Sequence, residues 1–190
     1  MMNGADAMEK IRLLALSGSL RDKSYNAAAI RALRFLVPPH IEITIGHIEA
    51  LPLFNPDREH EQIPAVAALK SGLGAADGLI IASPEYAHGI SGPMKNALDW
   101  LVSGEEFPYK PIMLINTSPR AHHALDALKE VLATMSGVIV ESAYVSIELL
   151  SSGLDDAGIR ADPHLADRLR SGLKNFYDAI AAIKRDRHED

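Results

Sequence analysis

The sequence predicts an α/β protein, a doubly wound, five-stranded parallel sheet with helices on both faces in three layers. Short apolar runs alternate with stretches of helical periodicity. Most of these runs are apolar at every position, which suits strands covered on both faces. No internal repeat, linker or low-complexity segment interrupts the 190 residues, so one domain is expected over 11–185. Residues 1–10 are expected to form a flexible leader, and 186–190 a charged tail.

Ile11–Leu16 (IRLLAL) is the first buried run, ended by Ser17-Gly18-Ser19. Ala29, Leu33, Leu36 and Val37 then recur at helical spacing until Pro38-Pro39 stops the helix. Ile41, Ile43 and Ile45 alternate with Glu42 and Thr44, the period of a strand with one wetter face. Leu51–Pro56 carries two prolines and reads as a loop, and a weaker helix follows from about Glu61 to Leu73. Leu79–Ala82 and Ile112–Ile115 are further buried strands, and Ser91–Val102 between them is a helix with Pro93 near its start. Ala124, Leu128, Val131 and Met135 stripe the next helix, which Gly137 stops before a strand beginning at Val138–Val140. Asp162-Pro163 opens the last helix, with Leu165, Leu169, Leu173, Phe176, Ile180 and Ile183 on one face.

Composition excludes several functions. Nineteen basic against twenty-five acidic residues give a net charge of −6, which disfavours nucleic acid as a partner. The chain has no cysteine, so disulfides, thiolate metal sites and thiol catalysis are excluded. No apolar stretch approaches a membrane span, and the acidic start MMNGADAMEK lacks a signal-peptide core. A cytoplasmic protein is expected.

In parallel sheets ligands bind beyond the carboxyl ends of the strands, so the loops that follow strands are where chemistry is expected. The first, Ser17 to Asn26, gathers hydroxyls, an amide, Arg21 and Lys23 at a helix N-terminus, where unpaired N–H groups favour an anion. Ser19, Ser24 and Asn26 can donate to phosphate oxygens, and Arg21 adds charge-assisted bonds. A helix cap alone would account for only one or two of these residues. Gly72-Leu73-Gly74 precedes a strand and lacks its third glycine, so a dinucleotide fingerprint is rejected, and no Gly-Lys-Ser/Thr phosphate loop occurs. A mononucleotide fits better.

The second loop, Ser83 to Pro93, places Pro84, Glu85 and Tyr86 to line a flat ligand, with Gly89 and Gly92 allowing close approach. Gly89-x-Ser91 is not a nucleophile elbow, because Pro93 stands where the second glycine belongs. Glu85 and His88 form only a weak candidate acid–base pair. Ser118 in the third loop, Thr117-Ser118-Pro119-Arg120, can reach the rim of the same ligand. His122 and His123 are adjacent on a helix, a poor metal pair, and no metal is expected.

Gly18-Ser19-Leu20-Arg21-x-x-Ser24-x-Asn26, Ser83-Pro84-Glu85-Tyr86 and Gly92-Pro93-Met94-Lys95-Asn96-Ala97-Leu98-Asp99-Trp100 together resemble the NADPH-dependent FMN reductase family over about residues 11–145. The resemblance implies a flavodoxin-like fold, bound FMN, and NADPH or NADH as co-substrate. It implies two-electron hydride transfer through flavin N5 to a quinone, flavin, azo or similar acceptor, with no catalytic side chain, in a homodimer or homotetramer. Carried over by residue, Ser19, Leu20, Arg21, Ser24, Tyr25 and Asn26 would hold the phosphate end. Pro84, Glu85, Tyr86, Ala87 and His88 would run along the ring, and Ser118 would begin the third flavin loop. Ala87 stands where the family usually has Asn, and Pro119-Arg120 replaces its paired glycines. Trp100 reads as a core or subunit-contact anchor. The alternative is a non-enzymatic flavodoxin-like carrier or FMN-binding module, which low aromatic content and modest charge disfavour.

Overall fold

The chain alternates strand and helix. The computed structural model describes residues 10–120 and 122–189, so nearly all of the expected leader lies outside the described residues. Ile11–Ser17 (β1) leads through Tyr25–Leu36 (α1) to Ile41–Ile45 (β2). Pro64–Gly74 (α2) and Gly78–Ala82 (β3) follow. The helix expected from Glu61 starts three residues later, because Pro64 has no N–H to give and sits in the first turn. Glu85–Tyr86 (β4) and Gly89–Ile90 (β5) form a small antiparallel hairpin before Gly92–Leu101 (α3). Pro111–Asn116 (β6) and His123–Thr134 (α4) complete the next unit.

The sheet order is β2-β1-β3-β6, all parallel, with the fifth position shared by Val138–Ile139 (β7) and Val145–Ser146 (β8). The expected strand at Val138–Val140 is therefore a two-residue piece, and a 3-10 turn at Glu141–Ala143 separates it from the second. The sequence reading also lacked Asp156–Ala161 (α5), a single short turn of helix capped by Asp155, whose Oδ1 accepts from Gly158 N at 2.8 Å. Pro163–Glu189 (α6) carries its helical backbone through most of the expected charged tail.

Strand side chains alternate between two cores, as a pleated strand requires. Leu13, Ala15, Ile80, Ala82, Met113 and Ile115 pack beneath α1, α5 and α6. Leu14, Leu16, Leu79, Ile81, Ile112 and Leu114 face α2, α3 and α4. In α4 the buried stripe is Ala124, Leu128 and Leu132, with Val131 and Met135 only half-buried at its margin. Because the main strands are parallel, Ser17, Ala82 and Asn116 end on the same edge, and the three loops of interest emerge there side by side.

Candidate functional site

The first two loops are fastened together at Gly18. Its N–H donates to Ala82 O at 2.8 Å, and its carbonyl accepts the Ser91 hydroxyl at 2.6 Å. A Cβ here would lie 2.4 Å from Ser83 Oγ, so only glycine permits this approach. Ser91 also caps α3 by accepting from Met94 N. Ser24 caps α1, its hydroxyl accepting from Ala27 N at 3.3 Å. The N–H groups of Tyr25 and Asn26 then have no partner among the described residues and remain available to an anion. Asn26 Oδ1 accepts from Thr117 Oγ1 at 3.1 Å, tying the third loop to the same helix start. Ser19, Ser24, Asn26, Asn116 and Thr117 are all buried, a dense polar group for the end of an apolar sheet.

The second loop is the β4–β5 hairpin. Ala87 and His88 at its tip have φ of 48° and 59°, both left-handed. Two-residue hairpin turns of this hand favour Asn and Gly. Ala87 therefore departs from the family pattern at a position whose demand is on the backbone. Glu85 does not pair with His88: its Oε2 accepts from Ala124 N at 2.9 Å, serving α4, whose own N-cap His122 makes no side-chain capping bond and instead meets Arg120 O through Nδ1 at 3.4 Å. His88 instead stacks on His123, with centroids 4.4 Å apart, and His123 on His122 at 4.2 Å.

The Lys95–Trp100 segment is structural. Asn96 Nδ2 and Trp100 Nε1 both donate to Pro52 O at 2.9 Å, Asn96 Oδ1 accepts from Phe54 N, and Phe54 meets the Trp100 ring edge-on. Trp100 is buried and clamps the 51–55 loop.

Ser19, Arg21, Ser24, Tyr25, Asn26, Pro84, Glu85, Tyr86 and Ser118 share one cleft above the strand ends. Leu20, Ala87 and His88 are exposed and outside its lining. Lys23, Ser83 and Thr117 from the same three loops join the lining, as do Asn116 and Leu150, which lie outside the expected set. Ile81, Leu114 and Leu128 give it an apolar floor. Leu150 belongs to a fourth loop, reached when the Tyr25 hydroxyl accepts from Gly153 N at 3.0 Å. Polar type and position at the end of a strand mark Asn116; nothing local marks Leu150. The cavity is about 200 Å³, below the range that swallows a ligand whole, so a nucleotide-sized ligand keeps part of itself at the mouth. Among the described residues no group of His, Asp or Glu is arranged to hold a metal ion, and no helix is long and apolar enough to cross a membrane.

The family model for NADPH-dependent FMN reductases matches residues 11–150. An NAD(P)H-dependent FMN reductase of Pseudomonas aeruginosa is 39% identical over 113 residues, 58% of this chain; the chain spans 61% of that relative's length. A quinone reductase of Escherichia coli K12 is 28% identical over 185 residues, covering 93% of this chain and 98% of its own. FerB, a flavoenzyme NAD(P)H:(acceptor) oxidoreductase from Paracoccus denitrificans, superposes with a TM-score of 0.74 at 26% identity, over 90% of this chain and 98% of its own. This chain therefore belongs to the NADPH-dependent FMN reductase family, with the flavodoxin-like fold and with FMN and NAD(P)H as the family's cofactor and reductant.

Proposed function

We propose that this protein is an FMN-dependent NAD(P)H oxidoreductase acting on a quinone or a similar small acceptor. The observation that carries this is one cleft with two chemically different ends. At one end Ser19, Ser24, the free N–H groups of Tyr25 and Asn26, and the cations Arg21 and Lys23 surround the start of α1, which suits a phosphate. At the other, Pro84, Glu85 and Tyr86 form a wall beside an apolar floor, which suits a flat ring.

FMN, held by Ser19, Arg21, Ser24 and Asn26 at its phosphate and by Pro84–Tyr86 along its ring, would supply the two-electron redox chemistry between NAD(P)H and the acceptor. The chain's own residues bind and orient. Ser24 fixes the helix start, Glu85 fixes the hairpin against α4, and Tyr86, half exposed, borders the mouth. A carrier would clamp a ring between aromatic side chains; here the hairpin brings Tyr86 alone, which favours a face open to reactants. Exposed Leu20, Leu53, Tyr86 and Leu150 support a homodimer or homotetramer. NAD(P)H as reductant fits a cytoplasmic protein.

The test is anaerobic mixing of purified protein, FMN and NADPH or NADH. Bleaching of the flavin absorption band, reversed by a quinone, is expected. No bleaching with either nucleotide would refute the reductase reading.

A further inference from the structure

We propose that Arg120, His122, His123 and His88 form a second anion subsite, on the α4 side of the cleft, that takes phosphate groups of the nicotinamide dinucleotide. The inference rests on the reductase reading above.

The three imidazoles are in contact, His88 from the hairpin tip stacked on His123 and His123 meeting His122 at a tilt of 32° at the start of α4, and all three are exposed. The stack adjoins the cleft: Glu85, Tyr86 and Ala124, which neighbour these histidines in the chain, line it. Arg120, just before them, is exposed and makes no ion pair among the described residues. An acidic chain, with net charge −6, thus places an arginine and three titratable rings at one rim. The acidic groups on the same segments are Glu85, whose carboxylate is engaged by Ala124 N–H, and Asp126 in the first turn of α4.

This rim is separate from the phosphate end. The loop carrying Arg21 and Lys23 follows β1 and that carrying Arg120 follows β6, with β3 between them. Arg21 and Lys23 line the cleft, whereas Arg120, His122, His123 and His88 stand outside its lining. A reductant stacked on a flavin ring at the mouth must lay its own phosphates along the rim.

The test uses FMN-loaded protein and calorimetric titration with NADP+, alongside the variant Arg120→Gln/His122→Gln/His123→Gln. The variant is expected to bind NADP+ about tenfold more weakly while keeping its FMN affinity. The ring C–H resonances of His88, His122 and His123 should shift on adding NADP+ to the parent. Equal loss for NAD+ assigns the pyrophosphate, and loss for NADP+ alone assigns the 2′-phosphate. An unchanged dissociation constant together with unmoved histidine resonances would overturn the subsite. Failure of NADPH to bleach the parent's flavin would overturn the reductase reading instead, so the two failures are told apart.

Discussion

The two walls of the cleft are built on opposite principles. The phosphate end is made of buried, capped, unstrained backbone: Ser19, Ser24 and Asn26 are each no more than 8% exposed, and Ser91 locks Gly18 from the neighbouring loop. The ring end is an exposed hairpin whose tip holds two left-handed non-glycine residues and whose grip on α4 is one carboxylate and an imidazole stack. Rigidity at the first wall serves retention of one anion. At the second, the strain and exposure lie where reactants come and go, the usual place for such strain. Under the proposed function, affinity and turnover are carried by different loops.

Breaking the phosphate wall should have the largest effect. Arg21→Ala combined with Lys23→Ala removes both cations that line it and should weaken FMN binding by about 3 kcal/mol, roughly a hundredfold, in a fluorescence titration. Riboflavin, which lacks the phosphate, should be bound equally by parent and variant, and an equal loss for both flavins would break the comparison. Next, Ser91→Ala removes the α3 cap and the bond to Gly18 O together, and should cost about 2 kcal/mol of stability in urea unfolding. A loss within a few tenths of a kcal/mol would show that the two loops are not fastened through this hydroxyl.

The hairpin should behave in the opposite sense. Ala87→Gly relieves a left-handed alanine and should stabilise the protein by about 0.5–1 kcal/mol, visible as a raised Tm; Ala87→Asn should gain a smaller part of this. A lowered Tm for both would mean that the strain at Ala87 is not real. Smallest is the effect on the chemical step. His88→Ala should lower kcat by less than about tenfold, because hydride transfer needs no imidazole, while raising KM for the nucleotide. A thousandfold fall in kcat would give His88 a proton-transfer role.

The same contrast governs what could be read in the residues. Continuous apolar runs such as LIIA and IMLI announce strands buried on both faces, and the sheet, the helices and the position of the loops follow from them. That the first loop lines the cleft was legible, because its polar residues lie within nine positions of the end of β1 and are chemically unlike a cap alone. The split fifth strand was not, since two-residue pieces take their identity from pairing with β6 and leave no periodicity of their own. Neither was the role of Glu85, which depends on α4 arriving from 39 residues away. Leu150 enters the lining through a fourth loop held by Tyr25, a contact that no local pattern encodes.

The account stands or falls on where the phosphate goes. A crystal structure of the protein soaked in FMN tests this most directly. The phosphate is expected against the N–H groups of Tyr25 and Asn26, between Ser19 and Ser24, with the ring along Pro84–Tyr86. A phosphate seated anywhere else, or a cleft that admits no flavin, would contradict it.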